Sequence, residues 1–378
     1  MSSRTPAPPE AIAPRRAHAL QCDGAVLVDV REPAERALGA PETGLVLPLA
    51  DIEAGRVQAL PRGALILTLC ARGQRSQRAA SRLRELGFED AASIQGGFAA
   101  WREAGLPEAA RGDDDFAERY LRHLLLPEIG EHGQRRLAAA RVVLVGAGGL
   151  GSPVGLYLAA AGVGRVRVVD NDRVERSNLQ RQVLHTEARV GMAKVESAAR
   201  ALKALNPGIV VETVDARLDS TNVEAVLEGA EVVVDGADNF PTRYLLSDAC
   251  VRLRVPMVYG AVYRFEGQAA VFDAGRHRGE APCYRCLFPD PPPAEAAPDC
   301  ATVGVLGVLP GLVGMVQATE TLKLLLGLGE PLIGRLLHVD ALGMRFRETR
   351  LRPDPDCPVC APGREFPGYI DYERFCAA

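Results

Sequence analysis

Short apolar runs alternate with polar, helix-forming stretches along the whole chain. In its first part, residues 25–30 (AVLVDV) and 64–69 (ALILTL) are typical of buried strands. The stretch 76–86 is mostly polar with leucines on one face, which predicts a helix. Turn residues and an acidic run at 105–115 predict a linker. These patterns predict a small α/β domain over residues 1–110.

The same alternation continues, on a larger scale, over residues 111–378. A helix is predicted over 116–126. Apolar, β-branched runs then predict strands at 141–145, 165–169, 209–214, 231–234 and 256–259. Helical stretches separate most of these strands, and that order is typical of a largely parallel, doubly wound sheet. The predicted fold class is α/β in both domains.

The composition narrows the class of protein. Hydrophobic residues make up 47% of the 378 positions and charged residues 24%, which argues against a disordered chain and a membrane protein. A net charge of -4 disfavours nucleic acid as a partner. Residues 1–16 lack the apolar core of a secretory signal, so we expect a cytoplasmic protein. Its nine cysteines then serve metal binding or chemistry rather than disulfides.

Cys70 is the first candidate for chemistry, because it follows a predicted strand and precedes a predicted helix. The loop amides, with Arg72, Arg75 and Arg78, favour a thiolate or persulfide, which is the nucleophilic form of the side chain. Ser76 is predicted to cap the following helix. The alternative is a buried structural cysteine beside a basic helix face.

Further segments around this loop resemble the rhodanese family, whose members carry sulfur as a cysteine persulfide. They are Asp29-Val-Arg-Glu-Pro33, Gly96-Gly-Phe98 with Trp101, and Gly105-Leu-Pro107. The resemblance covers most of residues 15–108 and departs from the family pattern between Leu38 and Leu49. It implies a rhodanese fold in which Cys70 is the sulfur carrier.

A glycine-rich turn follows the predicted strand that ends at Val145. Its glycines are Gly146, Gly148, Gly149 and Gly151, and Asp170 ends the next strand. Glycines let the backbone approach phosphates, a helix N-terminus favours their charge, and the acid binds ribose hydroxyls. Taken alone, this motif fits NAD as readily as ATP.

Polar groups downstream favour a triphosphate over a nicotinamide ring. They are Ser177, Asn178, Leu179, Gln180 and Arg181 in one segment, then Lys194, then the pair Asp238 and Asn239. Lys194 is one of three lysines in an arginine-rich chain, and a compact ammonium can follow a phosphoryl oxygen through a reaction. Asp238 follows a strand and suits Mg²⁺. The alternatives are a solvated helix face for Lys194 and a helix cap for Asp238.

From residue 119 to residue 360, these elements resemble the ThiF/MoeB/HesA adenylyltransferase family, which is similar to ubiquitin-activating enzymes. The resemblance implies a Rossmann-like adenylating domain in a homodimer. It implies that Asp170 holds the ribose, that Asn178, Arg181 and Lys194 contact phosphates, that Asp238 binds Mg²⁺, and that Arg122 reaches the nucleotide of the opposite subunit.

The other cysteines divide by spacing. Cys283 and Cys286 form one C-x-x-C pair and Cys357 and Cys360 another, a pattern typical of a closed structural zinc site, with four free thiols as the alternative. Cys300 lies in a loop that the resemblance places above the nucleotide. We expect it to attack an acyl-adenylate or to resolve an acyl disulfide, with an incidental thiol as the alternative.

Together these features predict an enzyme that uses ATP, Mg²⁺ and Zn²⁺. The second domain adenylates the C-terminal Gly-Gly carboxylate of a ubiquitin-like sulfur carrier, and Cys70, loaded by a cysteine desulfurase or another donor, supplies the sulfur of a thiocarboxylate. In the familiar fusion of these domains the rhodanese domain comes second, whereas here it comes first. An NAD-dependent oxidoreductase and a non-catalytic scaffold for a ubiquitin-like protein are the alternatives.

Overall fold

The computed structural model describes residues 11–37, 39–109, 114–292 and 304–377. They form two compact units that divide between Glu131 and His132. This division assigns helix Asp114–Leu124 to the first unit, whereas a boundary after residue 110 assigns it to the second. The boundary at residue 110 stays a prediction.

Within the described part of the first unit, a five-stranded parallel sheet has the order β1-β5-β4-β2-β3. The strands are β1 (Ala11–Ile12), β2 (Val26–Asp29), β3 (Leu45–Val46), β4 (Ile66–Leu69) and β5 (Ala91–Ile94). The helices are α1 (Pro14–Cys22), α2 (Pro33–Ala37), α3 (Leu49–Glu53), α4 (Gln74–Glu85), α5 (Gly97–Glu103) and α6 (Asp114–Leu124). The predicted strands over 25–30 and 64–69 are therefore confirmed to within two residues at each end.

Two small apolar cores cover the faces of this sheet. Ala79, Ala80 and Leu83 of α4 are buried in one of them. The leucine face of the helix predicted over 76–86 therefore points into this core. Trp101 is buried in the other, where its indole N–H donates to the Pro107 carbonyl at 3.1 Å.

The described part of the second unit contains an eight-stranded sheet with the order β13-β12-β11-β10-β9-β6-β7-β8. Its strands are β6 (Arg141–Val145), β7 (Arg165–Val169), β8 (Val210–Val214), β9 (Val232–Asp235), β10 (Met257–Tyr263), β11 (Glu266–Phe272), β12 (Arg335–Asp340) and β13 (Arg345–Arg350). The strands from β10 to β8 pair in parallel, and those from β10 to β13 pair antiparallel.

Helices cover both faces of this sheet. They are α7 (Gly130–Ala139), α8 (Gly151–Ala161), α9 (Lys194–Leu205), α10 (Val223–Leu227), α11 (Phe240–Leu253), α12 (Tyr284–Leu287), α13 (Leu309–Leu326) and α14 (Tyr372–Ala377). Helix α7 begins at the last residues of the first unit.

The two faces of strand β6 show how the layers form. Val142 and Leu144 pack in one core with α8, α9 and α13, while Val143 and Val145 pack in a second core with α11. Because a strand alternates its side chains between faces, a continuous apolar strand must be covered on both sides. The predicted doubly wound α/β fold is confirmed, and the antiparallel extension β11–β13 is an addition to it. No helix in the described ranges is long and apolar enough to cross a membrane.

Candidate functional site

A cleft of about 1190 Å³ opens at the carboxyl ends of the parallel strands β6, β7 and β9. Open α/β sheets bind ligands at this edge. The structure brings many of the predicted residues together along the cleft: Gly146, Gly148, Gly149, Asp170, Arg181, Lys194, Asp238 and Asn239.

The glycine loop is closely packed below and open above. Gly146 has a φ of +92°, and a Cβ there would lie 2.5 Å from the Gly236 carbonyl oxygen. A Cβ on Gly151, the first residue of α8, would lie 1.9 Å from the Gly146 carbonyl oxygen. At Gly148 the nearest atom is a side-chain nitrogen at 3.6 Å. The loop therefore needs glycine for its own packing and leaves its upper side accessible to a ligand.

Asp170 connects the glycine loop to the next strand. Its Oδ2 accepts the Ala147 N–H and its Oδ1 accepts the Asp172 N–H, both at 2.8 Å. Burial raises the pKa of Asp170, and the positive charge of Lys194 opposes that rise. The carboxylate both anchors the loop and faces the cleft, where it can accept hydrogen bonds from ribose hydroxyls.

Lys194 is the first residue of α9 and is only 6% exposed. Its Nζ lies 2.8 Å from Asp172 Oδ2, and both side chains line the cleft. A solvated helix face is therefore excluded for Lys194. A buried ammonium in a cleft is held near its pairing partner and is available to an anionic ligand.

Asp238 and Asn239 have different roles in the structure. The Asn239 side chain caps α11, because its Oδ1 accepts the Thr242 N–H at 3.0 Å. Asp238 is exposed on the cleft, with its Oδ1 at 3.4 Å from Asn239 Nδ2. The helix cap is thus Asn239, and Asp238 remains as a carboxylate that fits Mg²⁺, which binds through one or two carboxylates together with substrate phosphates.

The segment from Ser177 to Gln180 lies outside the cleft lining. Ser177 and Asn178 belong to a 3₁₀ turn, where Asn178 Oδ1 accepts the Glu175 N–H at 3.1 Å. Leu179 and Gln180 follow this turn, and Arg181 then enters the lining. Nucleotide contacts of these four residues stay predictions.

Cys70 lies at the end of β4 with 1% of its surface exposed. Its Sγ accepts the Gly73 N–H at 3.0 Å, and its carbonyl accepts the Phe98 N–H at 2.7 Å. Gly97 begins α5 with a φ of +62°, and a Cβ there would lie 2.2 Å from the Cys70 carbonyl oxygen. The loop amide contacts the sulfur directly, and both the persulfide role of Cys70 and its alternative, a buried structural cysteine, stay predictions.

The surroundings of Cys70 differ from the prediction in two ways. Ser76 does not cap α4: Gly73 is the N-cap residue, and Ser76 Oγ donates to the Gly73 carbonyl at 3.0 Å, because Ser76 sits within the first turn. The arginines are also largely paired, since Arg75 binds Glu35 and Arg78 binds Glu53, each at 2.5 Å. These carboxylates, which are distant in sequence, offset part of the positive charge expected from spacing alone.

The four paired cysteines come together in the second unit. Their sulfurs all lie within 4.8 Å of one another, with Cys283–Cys286, Cys283–Cys357 and Cys286–Cys360 separations of 3.9, 3.6 and 3.4 Å. Four thiolates at about 2.3 Å from a tetrahedral zinc ion lie about 3.8 Å apart. The donor set and its spacing therefore fit zinc. The Asp354 N–H also donates to Cys286 Sγ at 3.3 Å.

Comparison with known families decides where this architecture belongs. The model of the ThiF family matches residues 120–359. The chain belongs to the ThiF family. A rhodanese-like domain matches residues 14–104, so this ThiF chain also carries a rhodanese-like domain, and both resemblances predicted from the sequence are confirmed.

Several curated proteins are similar to about 70% of the chain. The SAMP-activating enzyme E1 of Haloferax volcanii is 55% identical over 261 residues, which cover 69% of this chain and 95% of the relative. The sulfur carrier protein adenylyltransferase of Thermus thermophilus is 54% identical over 68% of this chain and 96% of its own. The adenylyltransferase and sulfurtransferase MOCS3 of Mus musculus is 49% identical over 72% of this chain and 58% of its own.

Solved structures share the fold. The crystal structure of E. coli MccB with MccA-N7isoASN aligns with a TM-score of 0.56 at 22% identity, over 66% of this chain and 75% of that chain. The structure of E. coli MccB with ATP aligns with a TM-score of 0.53 at 22% identity, over 70% of this chain and 85% of that chain. These alignments show that the chain shares its fold with the two MccB structures.

Several residues of the ThiF cleft were not predicted. Asp235 and Arg243 form a buried ion pair at 2.9 Å beneath it, and His185 is buried beside the glycine loop. Cys376 also lines the cleft. Their only sequence signal is proximity to a motif, because burial and pairing depend on the tertiary fold.

Cys300 and Arg122 also remain without a structural test. Cys300 lies outside the described residues. Arg122 lies in the last turn of α6, in the first unit. Its contact with the nucleotide of a second subunit stays a prediction.

Proposed function

We propose that this chain adenylates the C-terminal glycine of a small ubiquitin-like sulfur carrier and then transfers sulfur to it from Cys70. The observation that carries this proposal is the cleft, where the glycine loop, Asp170, Lys194 and Asp238 converge. The names of the relatives, which include sulfur carrier protein adenylyltransferase, support the carrier as substrate. ThiF membership and a buried cleft lysine favour ATP over NAD.

Adenylation makes the carboxylate reactive. A carboxylate oxygen of the carrier attacks the α-phosphorus of ATP, the bond to the bridging oxygen breaks, and pyrophosphate leaves with that electron pair. The glycine-loop amides and the amino end of α8 bind phosphate oxygens, and Lys194 neutralises charge that develops during transfer. Mg²⁺, held by Asp238, supplies further charge neutralisation when it is bound. The protein contributes mainly positioning and electrostatics.

Sulfur transfer follows from the same activated carboxyl group. The terminal sulfur of a Cys70 persulfide attacks the acyl carbon, and AMP leaves with the electron pair of the acyl–oxygen bond. The resulting acyl disulfide is cleaved when the Cys300 thiolate attacks the Cys70 sulfur, which releases the thiocarboxylate and leaves a Cys70–Cys300 disulfide. Cys300 has the alternative role of attacking the acyl-adenylate itself.

The remaining parts of the proposal concern assembly. The chain acts as a cytoplasmic homodimer in which Arg122 completes the opposite site, a cysteine desulfurase or another donor loads Cys70, and the four cysteines bind structural Zn²⁺. One chain that contains both activities raises the effective concentration of the second step.

The test is an assay with the purified full chain, ATP, Mg²⁺ and candidate carriers from molybdopterin, thiamine and cysteine synthesis. We expect labelled pyrophosphate to exchange into ATP with at least one carrier and, with a sulfur donor, a thiocarboxylate mass on that carrier. Cys70→Ser should abolish the thiocarboxylate and spare exchange, whereas Asp238→Ala should abolish both. A scaffold would instead retain its biological output in both variants. Absence of exchange with every carrier overturns the proposal.

A further inference from the structure

A buried histidine, His185, lies directly beneath the glycine loop and is not part of the cleft lining. It is 5% exposed and follows the segment that contains Arg181. Its Nε2 lies 2.9 Å from the Ala147 carbonyl oxygen, and its Nδ1 lies 2.9 Å from Ser197 Oγ. Both ring nitrogens therefore have partners, one in the glycine loop and one in α9.

The partners fix the tautomer. A carbonyl oxygen only accepts hydrogen bonds, so His185 Nε2 carries a hydrogen and donates it to Ala147. In the neutral ring, Nδ1 then accepts from the Ser197 hydroxyl. Burial lowers the pKa of His185 and favours this neutral form. The charges of Lys194 and Arg189 act in the same direction, and the hydrogen bond to Ala147 and the charge of Asp170 oppose them.

Ala147 is held at both of its backbone polar groups. Its N–H donates to Asp170 Oδ2 at 2.8 Å, and its carbonyl accepts from His185. The Ala147 carbonyl and the Gly148 N–H belong to one planar trans peptide, so they point in opposite directions. With the carbonyl held toward the buried ring, the Gly148 N–H is directed to the other side of the loop. Gly148 lines the cleft.

We infer that His185 is a positioning residue that sets the orientation of the Ala147–Gly148 peptide and thereby aims the Gly148 amide at a nucleotide phosphate. This inference rests on the proposed function, since it assumes that the cleft binds ATP. It adds a residue that makes no contact with the substrate and acts through the backbone of the loop.

A neighbouring side chain supports a polar ligand at the same place. Gln182 is 5% exposed, lines the cleft beside Gly148, and its Oε1 has no hydrogen-bond partner among the described residues. Buried polar atoms are normally paired, so an orphan at a cleft wall indicates a partner supplied by the ligand or its water. His185 and Gln182 thus flank the loop from below and from the side.

Three variants separate positioning from general stability. His185→Phe keeps an aromatic ring and removes the donor to Ala147. His185→Gln keeps a donor at about the distance of Nε2 and loses the Ser197 contact. Ser197→Ala loses that contact and keeps the histidine donor. His185→Gln and Ser197→Ala lose the Ser197 contact but keep a donor to the Ala147 carbonyl. They are therefore the controls for His185→Phe, which loses that donor.

The measurement is pyrophosphate exchange with the full-length protein as ATP is varied, together with thermal unfolding. We expect His185→Phe to raise the KM for ATP by about tenfold, which corresponds to one lost hydrogen bond to a buried carbonyl, with a smaller change in kcat. His185→Gln and Ser197→Ala should each keep KM within about threefold of wild type.

The outcomes are separable from those of the proposed function. If wild-type protein shows no exchange, the proposed function fails. If wild type exchanges and His185→Gln raises KM as much as His185→Phe, or if neither variant changes it, the positioning role is overturned. If the KM increase follows the loss in unfolding temperature across all three variants, His185 is only a packing residue and the inference is wrong.

Discussion

At the scale of single residues, Lys194 is a buried cation that lies among acidic side chains of the cleft. Lys194 is paired with Asp172, whose side chain is 57% exposed, and it also acts on Asp170. An ammonium paired with an exposed carboxylate can exchange that partner for a phosphate oxygen without leaving its buried position. Lys194, one of three lysines in the sequence, is thus buried in the cleft rather than placed on a solvated surface.

Replacing Lys194 by alanine should remove one preorganised positive charge from the transition state. We expect the rate of pyrophosphate exchange to fall by about 10²- to 10³-fold, roughly 3 to 4 kcal/mol. Asp172→Asn is the matched control, because it removes the ion-pair partner and keeps the ammonium, and it should cost less than about tenfold. A normal exchange rate in Lys194→Ala would remove Lys194 from the mechanism.

At the scale of elements, the loop after β4 and the start of α5 depend on each other. Gly97 contacts the Cys70 loop so closely that a Cβ would lie 2.2 Å from a backbone oxygen. Gly105, after the end of α5, has a similar φ of +65°, and a Cβ added there would have no other atom within 4 Å. A substitution at Gly105 therefore measures the loss of stability from a left-handed backbone alone. A substitution at Gly97 adds the loss from the clash of its Cβ with the Cys70 carbonyl oxygen.

We expect Gly105→Ala to lower stability by about 1 kcal/mol, the usual cost of a left-handed residue with a side chain. Gly97→Ala should cost roughly 1–3 kcal/mol more, because the new methyl group displaces the Cys70 loop. Thermal unfolding and thiocarboxylate formation on the carrier measure both effects. Equal losses in the two variants would show that Gly97 does not support the Cys70 loop.

The cysteine cluster and helix α14 form a second coupled pair of elements. Arg285, between the first two cysteines, pairs with Asp248 at 2.9 Å, and Asp248 accepts the Tyr372 hydroxyl of α14 at 2.7 Å. Glu373 of the same helix lines the cleft. Because these contacts are buried and continuous, order in the cysteine cluster supports one wall of the cleft.

Removing zinc should therefore loosen more than the four cysteines. We expect one zinc per chain, and chelation should increase hydrogen exchange at residues 283–287 and 354–377, since structural zinc contributes on the order of 10 kcal/mol to local folding. Cys360→Ser should lower the zinc content, whereas Cys376→Ser should not. Far less than one zinc per wild-type chain would contradict the assignment.

The accuracy of the sequence-based prediction differs between these elements for physical reasons. Strand β6 was predicted at its observed bounds because it is apolar on both faces. Strand β13 (RFRETR) was missed because all its residues are exposed, so no pattern of burial marks it. In the cleft, glycines and charged groups were predictable from their spacing. His185 and the Asp235–Arg243 pair were not, because their partners and their burial are set by tertiary packing and not by a sequence motif.

At the scale of the whole molecule, the proposal requires two kinds of cooperation. Within one chain, Cys70 must deliver sulfur to a carboxyl group activated in the second unit. Between chains, Arg122 must reach the nucleotide of its partner. A symmetric dimer makes the second requirement reciprocal, because each subunit gives one arginine and receives one. Each catalytic site is then built from two copies of the chain, and this arrangement can be tested by mixing inactive variants.

Arg122→Ala and Lys194→Ala proteins should each be nearly inactive alone in pyrophosphate exchange. In a mixed dimer, the Arg122→Ala subunit keeps its own Lys194 and receives an intact Arg122 from its partner, so one of the two sites is complete. After equal mixing and random reassociation, half of the dimers are mixed, and about a quarter of wild-type activity should return. The control mixes Asp238→Ala with Lys194→Ala. Each of these defects lies in the site of the subunit that carries it, so both sites of the mixed dimer are incomplete. Recovery in neither mixture, with subunit exchange verified by differently tagged chains, would mean that Arg122 does not act across a dimer.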